Sequence, residues 1–272
     1  MLPRSGTTAA CAKWRQDWPA AIEYNRRALE LVPPDGRQGE PAAWNLGIAA
    51  TASRDWPTAR LAWAAFGIAL PQGAGTDEPI DADFGPCPVR LNAEPRFAGQ
   101  EPLTIDGRIC DTEVVWGRRV CPTRIQIVNV PTPESGHRFG DIVLHDGDPV
   151  GSRRLGEQEI GVFNEILLWQ RCPVPTLTAT IHTPEPAAVQ QLTDLFEAAG
   201  AAAEDWTQNI QILCRECSNG SPTQEHQHPS PEWSPERILG FSARPDQARA
   251  LLEHWRTAGD TRSYTDLAVA LP

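Results

Sequence analysis

The feature that most constrains the fold of this chain is a short sequence near its N-terminus that occurs twice. The pentapeptide Asp17–Ala21 (Asp-Trp-Pro-Ala-Ala) returns 38 residues later as Asp55–Ala59 (Asp-Trp-Pro-Thr-Ala). Each copy is followed by apolar residues at helical spacing and then by a proline, Pro33 after the first and Pro71 after the second. Such a displacement is typical of proteins built from stacked helical repeats. The sequence therefore predicts paired helices over residues 10–71.

The residues between the two copies match the signature of a known repeat. Asn45–Gly47 fits the pattern of a first repeat helix, and Ala21 and Ala59 occupy positions where a small residue lets two helices touch. Residues 10–71 therefore resemble a pair of tetratricopeptide repeats (TPR). The resemblance implies helical hairpins with a concave face that binds a peptide or a protein, although an all-helical core without a binding role would show the same pattern.

The chain departs from that family at identifiable positions. Gln16 and Arg54 stand where the repeat usually has a turn glycine, Phe66 replaces a usual alanine, and residues 34–39 lengthen the unit. Two repeats are too few to form a free-standing solenoid. We therefore expect one face of the helices to pack against the rest of the chain.

The middle of the chain changes from helical to strand-like periodicity. Residues 72–102 are rich in glycine, proline and aspartate, which predicts a linker with one strand candidate at Pro88–Leu91. Residues 103–172 contain short runs of β-branched residues separated by turn residues, as in a small antiparallel β barrel or sandwich. The strand candidates are Leu103–Ile105, Glu113–Trp116, Arg124–Val130, Ile142–His145 and Val162–Trp169.

The last segment, residues 173–272, alternates strands and helices. Its predicted order is β-α-β-β-α-β, the ferredoxin-like arrangement. The four strand candidates are Leu177–His182, Asn209–Leu213, Arg237–Phe241 and Leu267–Leu271, and the second helix candidate is Pro245–Ala258. The whole sequence thus predicts an α+β multidomain protein whose first domain, residues 1–71, is helical.

Four potential metal ligands lie between the second and third strands of that last segment. Cys214 and Cys217 form a Cys-x-x-Cys pair, and His226 and His228 follow on alternate positions of a polar stretch. Tetrahedral zinc prefers thiolate and imidazole ligands, and four of them leave no position open for a substrate. The polar loop between the two pairs has no core of its own, so a bound ion would fix it. The sequence therefore predicts a structural zinc (Zn2+) site.

Three other interpretations of this stretch stay open. The pair Cys214 and Cys217 follows a strand and does not open a helix that would lower its pKa, which disfavours a redox function without excluding it. The spacing departs from that of common zinc fingers, so the cysteines could also carry no metal. A catalytic zinc would need water in place of one ligand, with Glu225 as a base.

A second polar region, from His137 to Asp148, holds histidines beside carboxylates. The residues His145–Asp148 have the composition of a base with its orienting carboxylate, or of a hard-metal site. An Asp-Gly sequence after an apolar strand is, however, more typical of a hairpin turn. Arg138 and Asp141 could line a site with His137, but a solvated loop is the expectation for a single polar segment.

Composition limits the classes of function. The formal net charge of −11 argues against a nucleic-acid partner and is compatible with a basic protein partner. Lys13 is the only lysine, so Schiff-base chemistry and a phosphate-loop lysine have almost no residue to use. No run could span a membrane, and seven cysteines without a dense disulfide framework make the cytoplasm the expected compartment.

These observations predict a cytoplasmic, bacterial-type adaptor that binds another protein, in the way that an immunity protein masks a basic effector. One alternative is a metal-dependent hydrolase that uses the Cys/His stretch or the region His137–Asp148. Another is a structural subunit of a larger assembly. The sequence leaves the partner and the oligomeric state open.

Overall fold

The computed structural model describes residues 12–71, 75–93, 104–105, 107–207 and 233–272. These residues form mixed α+β structure, which confirms the predicted class. The helices are α1 (Trp18–Glu30), α2 (Pro41–Ala52), α3 (Trp56–Phe66), α4 (Pro186–Ala198) and α5 (Pro245–Thr257). The strands are β1 (Pro86–Leu91), β2 (Thr104–Ile105), β3 (Arg108–Ile109), β4 (Glu113–Cys121), β5 (Arg124–Ile127), β6 (Ile142–Leu155), β7 (Gln158–Gln170), β8 (Thr176–His182), β9 (Ala202–Asp205), β10 (Glu236–Ser242) and β11 (Ser263–Leu271). No helix in the described ranges is long and apolar enough to cross a membrane.

The two copies of the pentapeptide begin helices in the same way. Asp17 and Asp55 are the N-caps of α1 and α3, and their carboxylates accept hydrogen bonds from the backbone N–H groups of Ala20 and Thr58, each at 3.2 Å. The capping bond satisfies an N–H that the first turn leaves without a helical partner. The repeated sequence is therefore a repeated helix start, with proline placed where its missing N–H costs nothing.

The turns before these helices also match. Gln16 and Arg54 have φ values of 57° and 60°, in the left-handed region that glycine adopts most easily. These are the two positions where the repeat family usually has glycine. Both copies therefore keep the turn geometry while carrying a larger residue.

Small residues let the helices pack closely. A Cβ atom at Gly47 would lie 2.6 Å from the ring of Trp63, so only glycine leaves room for that fully buried indole. Ala21 and Ala59 are fully buried as well. The predicted helices are thus present and paired, with α2 packed against both α1 and α3; the assignment to the tetratricopeptide family stays a prediction.

Five strands of the middle segment form a closed barrel in the order β1-β4-β5-β6-β7. Neighbouring strands are antiparallel except at the closure, where β1 and β7 are parallel, so the expectation of a purely antiparallel barrel was wrong at that one junction. The barrel interior is apolar and includes Val89, Val115, Ile125 and Val143.

Two assignments in this segment differ from the expectation. The strand candidate at Pro88–Leu91 is confirmed as part of β1, but β1 belongs to the barrel, so the barrel begins inside the range predicted as a linker. The candidate at Leu103–Ile105 corresponds to β2, which pairs only with β3 in a separate two-stranded ribbon.

The last segment forms a four-stranded sheet in the order β11-β8-β10-β9, with antiparallel neighbours. Helices α4 and α5 pack on it around Phe196, Phe241 and Trp255. The described elements follow the predicted order of strands and helices. The predicted strand Asn209–Leu213 lies outside the described residues, and the strand that pairs with the edge of β10 is β9.

Aromatic side chains join the helices to the barrel. Trp14, Ile48 and Trp56 share one buried cluster with Leu144 and Ile166 of the barrel. One face of the helices is therefore covered by the barrel, as the small number of repeats led us to expect.

A buried arginine lies at the edge of the same interface. The guanidinium of Arg124 is 5.1 Å from the ring centre of Trp56 and 4.7 Å from that of Trp169. Its N–H groups donate to the carbonyl oxygen of Ile80 and, at 3.3 Å, to the sulfur of Cys121. Indole faces attract cations, which offsets part of the cost of burying this charge.

Candidate functional site

The four predicted zinc ligands, Cys214, Cys217, His226 and His228, lie outside the described residues, as does Glu225. Their arrangement is therefore not seen. The part of the chain that the structure describes contains no group of three or more His, Cys, Asp or Glu side chains that could hold a metal ion.

His137 lies in the loop between β5 and β6 but is fully buried, which overturns the expectation that this loop is solvated. Its Nδ1 is 3.0 Å from the carbonyl oxygen of Ser135, and its Nε2 is 2.8 Å from Oε1 of Glu165. A carbonyl and a carboxylate both accept hydrogen bonds, so both ring nitrogens donate. Burial has the largest single effect and lowers the pKa of His137, but the Glu165 carboxylate, the Ser135 carbonyl and the charge of Asp141 together outweigh it, so the pKa is raised. His137 is thus a cation in a closed ion pair.

Other polar groups around His137 are also held by hydrogen bonds within the chain. Asp141 is fully buried and accepts hydrogen bonds from the backbone N–H groups of Arg138 and Cys172 and from the guanidinium of Arg171. Oε2 of Glu165 accepts from the backbone N–H of Asn92. These residues tie the loop to the strands around it and leave no ring nitrogen of His137 available to a substrate.

The segment His145–Asp148 is not the hairpin turn that its sequence predicted. Strand β6 continues through it to Leu155, and the hairpin lies between Leu155 and Gln158. The pairing of β6 with β7 is instead interrupted between His145 and Pro149. An irregularity of this kind redirects side chains without ending the strand.

His145 itself is buried and neutral. Its Nδ1 lies 2.6 Å from the carbonyl oxygen of Asp146 and therefore carries the proton. Burial, followed by the nearby positive charge of Arg119, lowers the pKa of His145 to about 3. A neutral histidine with no exposure is a packing residue against Phe163, whose ring centre is 4.9 Å away.

Asp146 receives the chain's only lysine across the interface between helices and barrel. Nζ of Lys13 lies 3.0 Å from Oδ1 of Asp146 and 2.9 Å from Oδ1 of Asn45 in α2. The side chains of Lys13 and Asp146 are 7% and 2% exposed, so this is a buried ion pair. Nζ also lies 4.7 Å from the ring centre of Trp14. The segment that carries Lys13, helix α2 and strand β6 therefore meet at one ammonium group.

Beside this ion pair the helices and the barrel leave a cleft of about 400 Å³. We call it the interface cleft. Aromatic and charged side chains line it together: Trp14, Trp44 and Phe66 with Lys13, Asn45, Asp146 and Asp148, and with Gly39, Pro41 and Gly147 at its walls. Asp148 is exposed, whereas Lys13 and Asp146 are buried at the wall.

Gly147 sets how close the two units come at this cleft. A Cβ atom at Gly147 would lie 2.1 Å from Nε1 of Trp44, so any larger residue would displace the Trp44 indole from the barrel. Its φ is not positive. Glycine is needed here for space and not for a turn.

Sequence patterns indicated Asp146 and Asp148 as part of the candidate region His137–Asp148, but they did not predict the other residues of the interface cleft as a site. Lys13 was the one available signal, because a single lysine in an arginine-rich chain stands out. Nothing in the local sequence pairs it with Asp146, which is 133 residues away.

A second junction joins the barrel to the four-stranded sheet. The carboxylate of Glu204 in β9 accepts hydrogen bonds from the backbone N–H of Val130 and the side chain of Asn129, and the indole of Trp206 donates to the carbonyl oxygen of Val130. Burial raises the pKa of the adjacent Glu113 to about 7; hydrogen bonds from Thr132 oppose the rise and the negative charge of Glu204 adds to it.

We expect Glu113→Gln to change how stability depends on pH. A raised carboxyl pKa in the folded protein means that stability is highest below about pH 4.5 and falls as the pH rises to about 7. The neutral amide removes that fall, so the variant should exceed the wild type at pH 8 by up to about 3 kcal/mol and match it near pH 4.5. Denaturant unfolding at several pH values measures this.

Comparing the two proteins at each pH cancels the contribution of His145, whose lowered pKa acts in the opposite direction and costs stability as the pH falls below about 6.5. A Glu113→Gln protein that is less stable than the wild type at pH 8 would contradict the assignment.

Comparisons with known proteins give no family for this chain. No family model matches it, and no curated protein matches it. Among solved structures, a hypothetical protein from Neisseria gonorrhoeae is similar over 68% of this chain and 94% of its own, at 11% identity and a TM-score of 0.25. A likeness at that level carries no argument about fold or function.

Proposed function

We propose that this chain is a cytoplasmic protein-interaction adaptor that binds a basic partner protein, in the manner of an immunity protein masking its effector. The observation that carries the proposal is the interface cleft, where the helices and the barrel come together without closing. Open concave sites with aromatic walls and a few placed polar groups are where proteins bind ligands.

The charge of the chain supports a basic partner. A net charge of −11 steers a positively charged protein toward the surface and speeds its association. The way in which the barrel covers the helices also indicates where the partner would make contact. Because the barrel occupies part of the helical surface, the interface cleft is the part of that junction left open to a partner.

The hydrolase alternative has less support from the region His137–Asp148. A general base must reach the proton that it abstracts. His137 is held by Glu165 and Ser135, and His145 is neutral and buried against Phe163. Both histidines therefore act as parts of the core. The Cys/His stretch remains the other place where the hydrolase alternative could operate.

Thiols in the core are compatible with the proposed compartment. Cys87 and Cys121 are unpaired and fully buried, and burial raises the pKa of both thiols. Free thiols without a disulfide are the usual state of cysteine in a reducing cytoplasm.

For the last segment we propose the ferredoxin-like arrangement with a structural zinc ion. The order of its described strands and helices supports the first part. The second part rests on the residue types and spacing of Cys214, Cys217, His226 and His228.

The zinc proposal predicts about one tightly bound zinc ion per chain. Elemental analysis of protein purified without chelator should find it, and Cys214→Ser should remove most of it because three remaining ligands hold the ion less well. The matched control is Cys172→Ser, which changes a partly exposed thiol at the barrel edge and should keep the metal. Wild-type protein without zinc would rule the site out.

The adaptor proposal predicts a complex with a basic protein encoded beside this chain. Each neighbouring gene product is purified and mixed with it, and size-exclusion chromatography with calorimetry measures the complex. We expect a one-to-one complex with a basic product, weakened about tenfold when salt rises from about 0.05 M to about 0.5 M. Acidic neighbours serve as controls and should not bind.

Two outcomes contradict the adaptor proposal. One is the absence of a complex with any neighbour. The other is an assembly with several copies of this chain and no basic partner, which would favour the structural-subunit alternative.

A further inference from the structure

The ionisable groups of the interface cleft do not balance. Lys13 carries one positive charge, and Asp146 and Asp148 carry two negative charges. Lys13 and Asp146 lie within 3.0 Å of each other and neutralise one another inside the wall. Asp148 is exposed and forms no ion pair with any described residue. Among the described residues that line the cleft, Asp148 therefore presents one uncompensated negative charge to an occupant.

The aromatic residues of the cleft form a corner. The rings of Trp44 and Phe66 have centres 5.0 Å apart and planes inclined at 59°. Both side chains are half-buried and line the cleft. The buried ring of Trp63 packs edge-on against Trp44, with ring centres 5.1 Å apart. Aromatic faces attract cations, and arginine also stacks on them through its planar guanidinium.

The same chemistry already operates elsewhere in this fold. Arg54 lies 3.9 Å from the ring centre of Trp169, and Arg124 lies 4.7 Å from the same centre. Those contacts are internal to the chain. The corner of Trp44 and Phe66 has the corresponding aromatic surface with a carboxylate nearby, but no described arginine stacks on it.

We propose that the interface cleft binds an arginine side chain of the partner protein. The guanidinium stacks on the corner of Trp44 and Phe66 and pairs with the carboxylate of Asp148. The buried pair of Lys13 and Asp146 holds α2 and β6 at the spacing that keeps the cleft open. This inference rests on the proposed function and names the group by which the basic partner is recognised.

The test uses small probes, so it is independent of the partner's identity. N-acetyl-arginine amide, its neutral isostere N-acetyl-citrulline amide and the anion N-acetyl-glutamate amide are titrated into the full-length protein. NMR follows the backbone amide signals of Trp44, Asn45 and Gly147. We expect the arginine compound to bind about tenfold more tightly than the citrulline compound and to move these signals.

Matched variants locate the contact. Asp148→Asn should weaken binding of the arginine compound about threefold to fivefold. Asp260→Asn, which changes an exposed carboxylate after α5, should leave it unchanged. Both substitutions are at exposed positions, and circular dichroism checks that the variants fold.

The proposal is overturned if arginine and citrulline compounds bind equally, if neither binds, if the glutamate compound binds best, or if the shifted signals lie elsewhere. Because no partner takes part, such a result leaves the adaptor proposal to its own test. Failure to find a basic partner would, in turn, leave a measured arginine site in place.

Discussion

The structure depends on one ammonium group that sits where the helices meet the barrel. Lys13 reaches Asn45 in α2 and Asp146 in β6, and its ion pair with Asp146 is buried. Removing one partner from a buried ion pair leaves an uncompensated charge, which typically costs about 3–5 kcal/mol. The ion pair therefore adds little net stability, but it restricts how the helices can dock on the barrel. Helices and barrel dock in the one position that satisfies both charges.

The interface cleft follows from this restricted docking of the helices on the barrel. Trp44 can lie against the barrel only because Gly147 has no side chain, and the same contact brings Asp146 and Asp148 to the helices. At the irregularity in β6, Asp146 is buried against Lys13 while Asp148 is exposed. A structural contact and the proposed binding surface are thus built from nearby residues of one strand.

Local physical rules predicted the elements of this fold, and long-range contacts decided the rest. The helix starts at Asp17 and Asp55 follow from capping, which depends on three or four consecutive residues. The Asp-Gly sequence at 146–147 obeys the same local rules and predicted a turn. That prediction was wrong because both residues make long-range contacts. Gly147 leaves room for Trp44, about a hundred residues away, and Asp146 forms an ion pair with Lys13. The burial of His137 in its loop likewise depends on Glu165 in β7, and no pattern around His137 shows it.

The measurement that tests this account most directly is a double-mutant cycle on Lys13 and Asp146. Denaturant unfolding gives the free energies of unfolding for the wild type, Lys13→Met, Asp146→Asn and the double variant. If the buried pair sets the docking of helices on the barrel, each single variant loses several kcal/mol and the double variant loses about 1–3 kcal/mol less than their sum. Losses that add without coupling would show that the two charges do not depend on each other, and the account would fail.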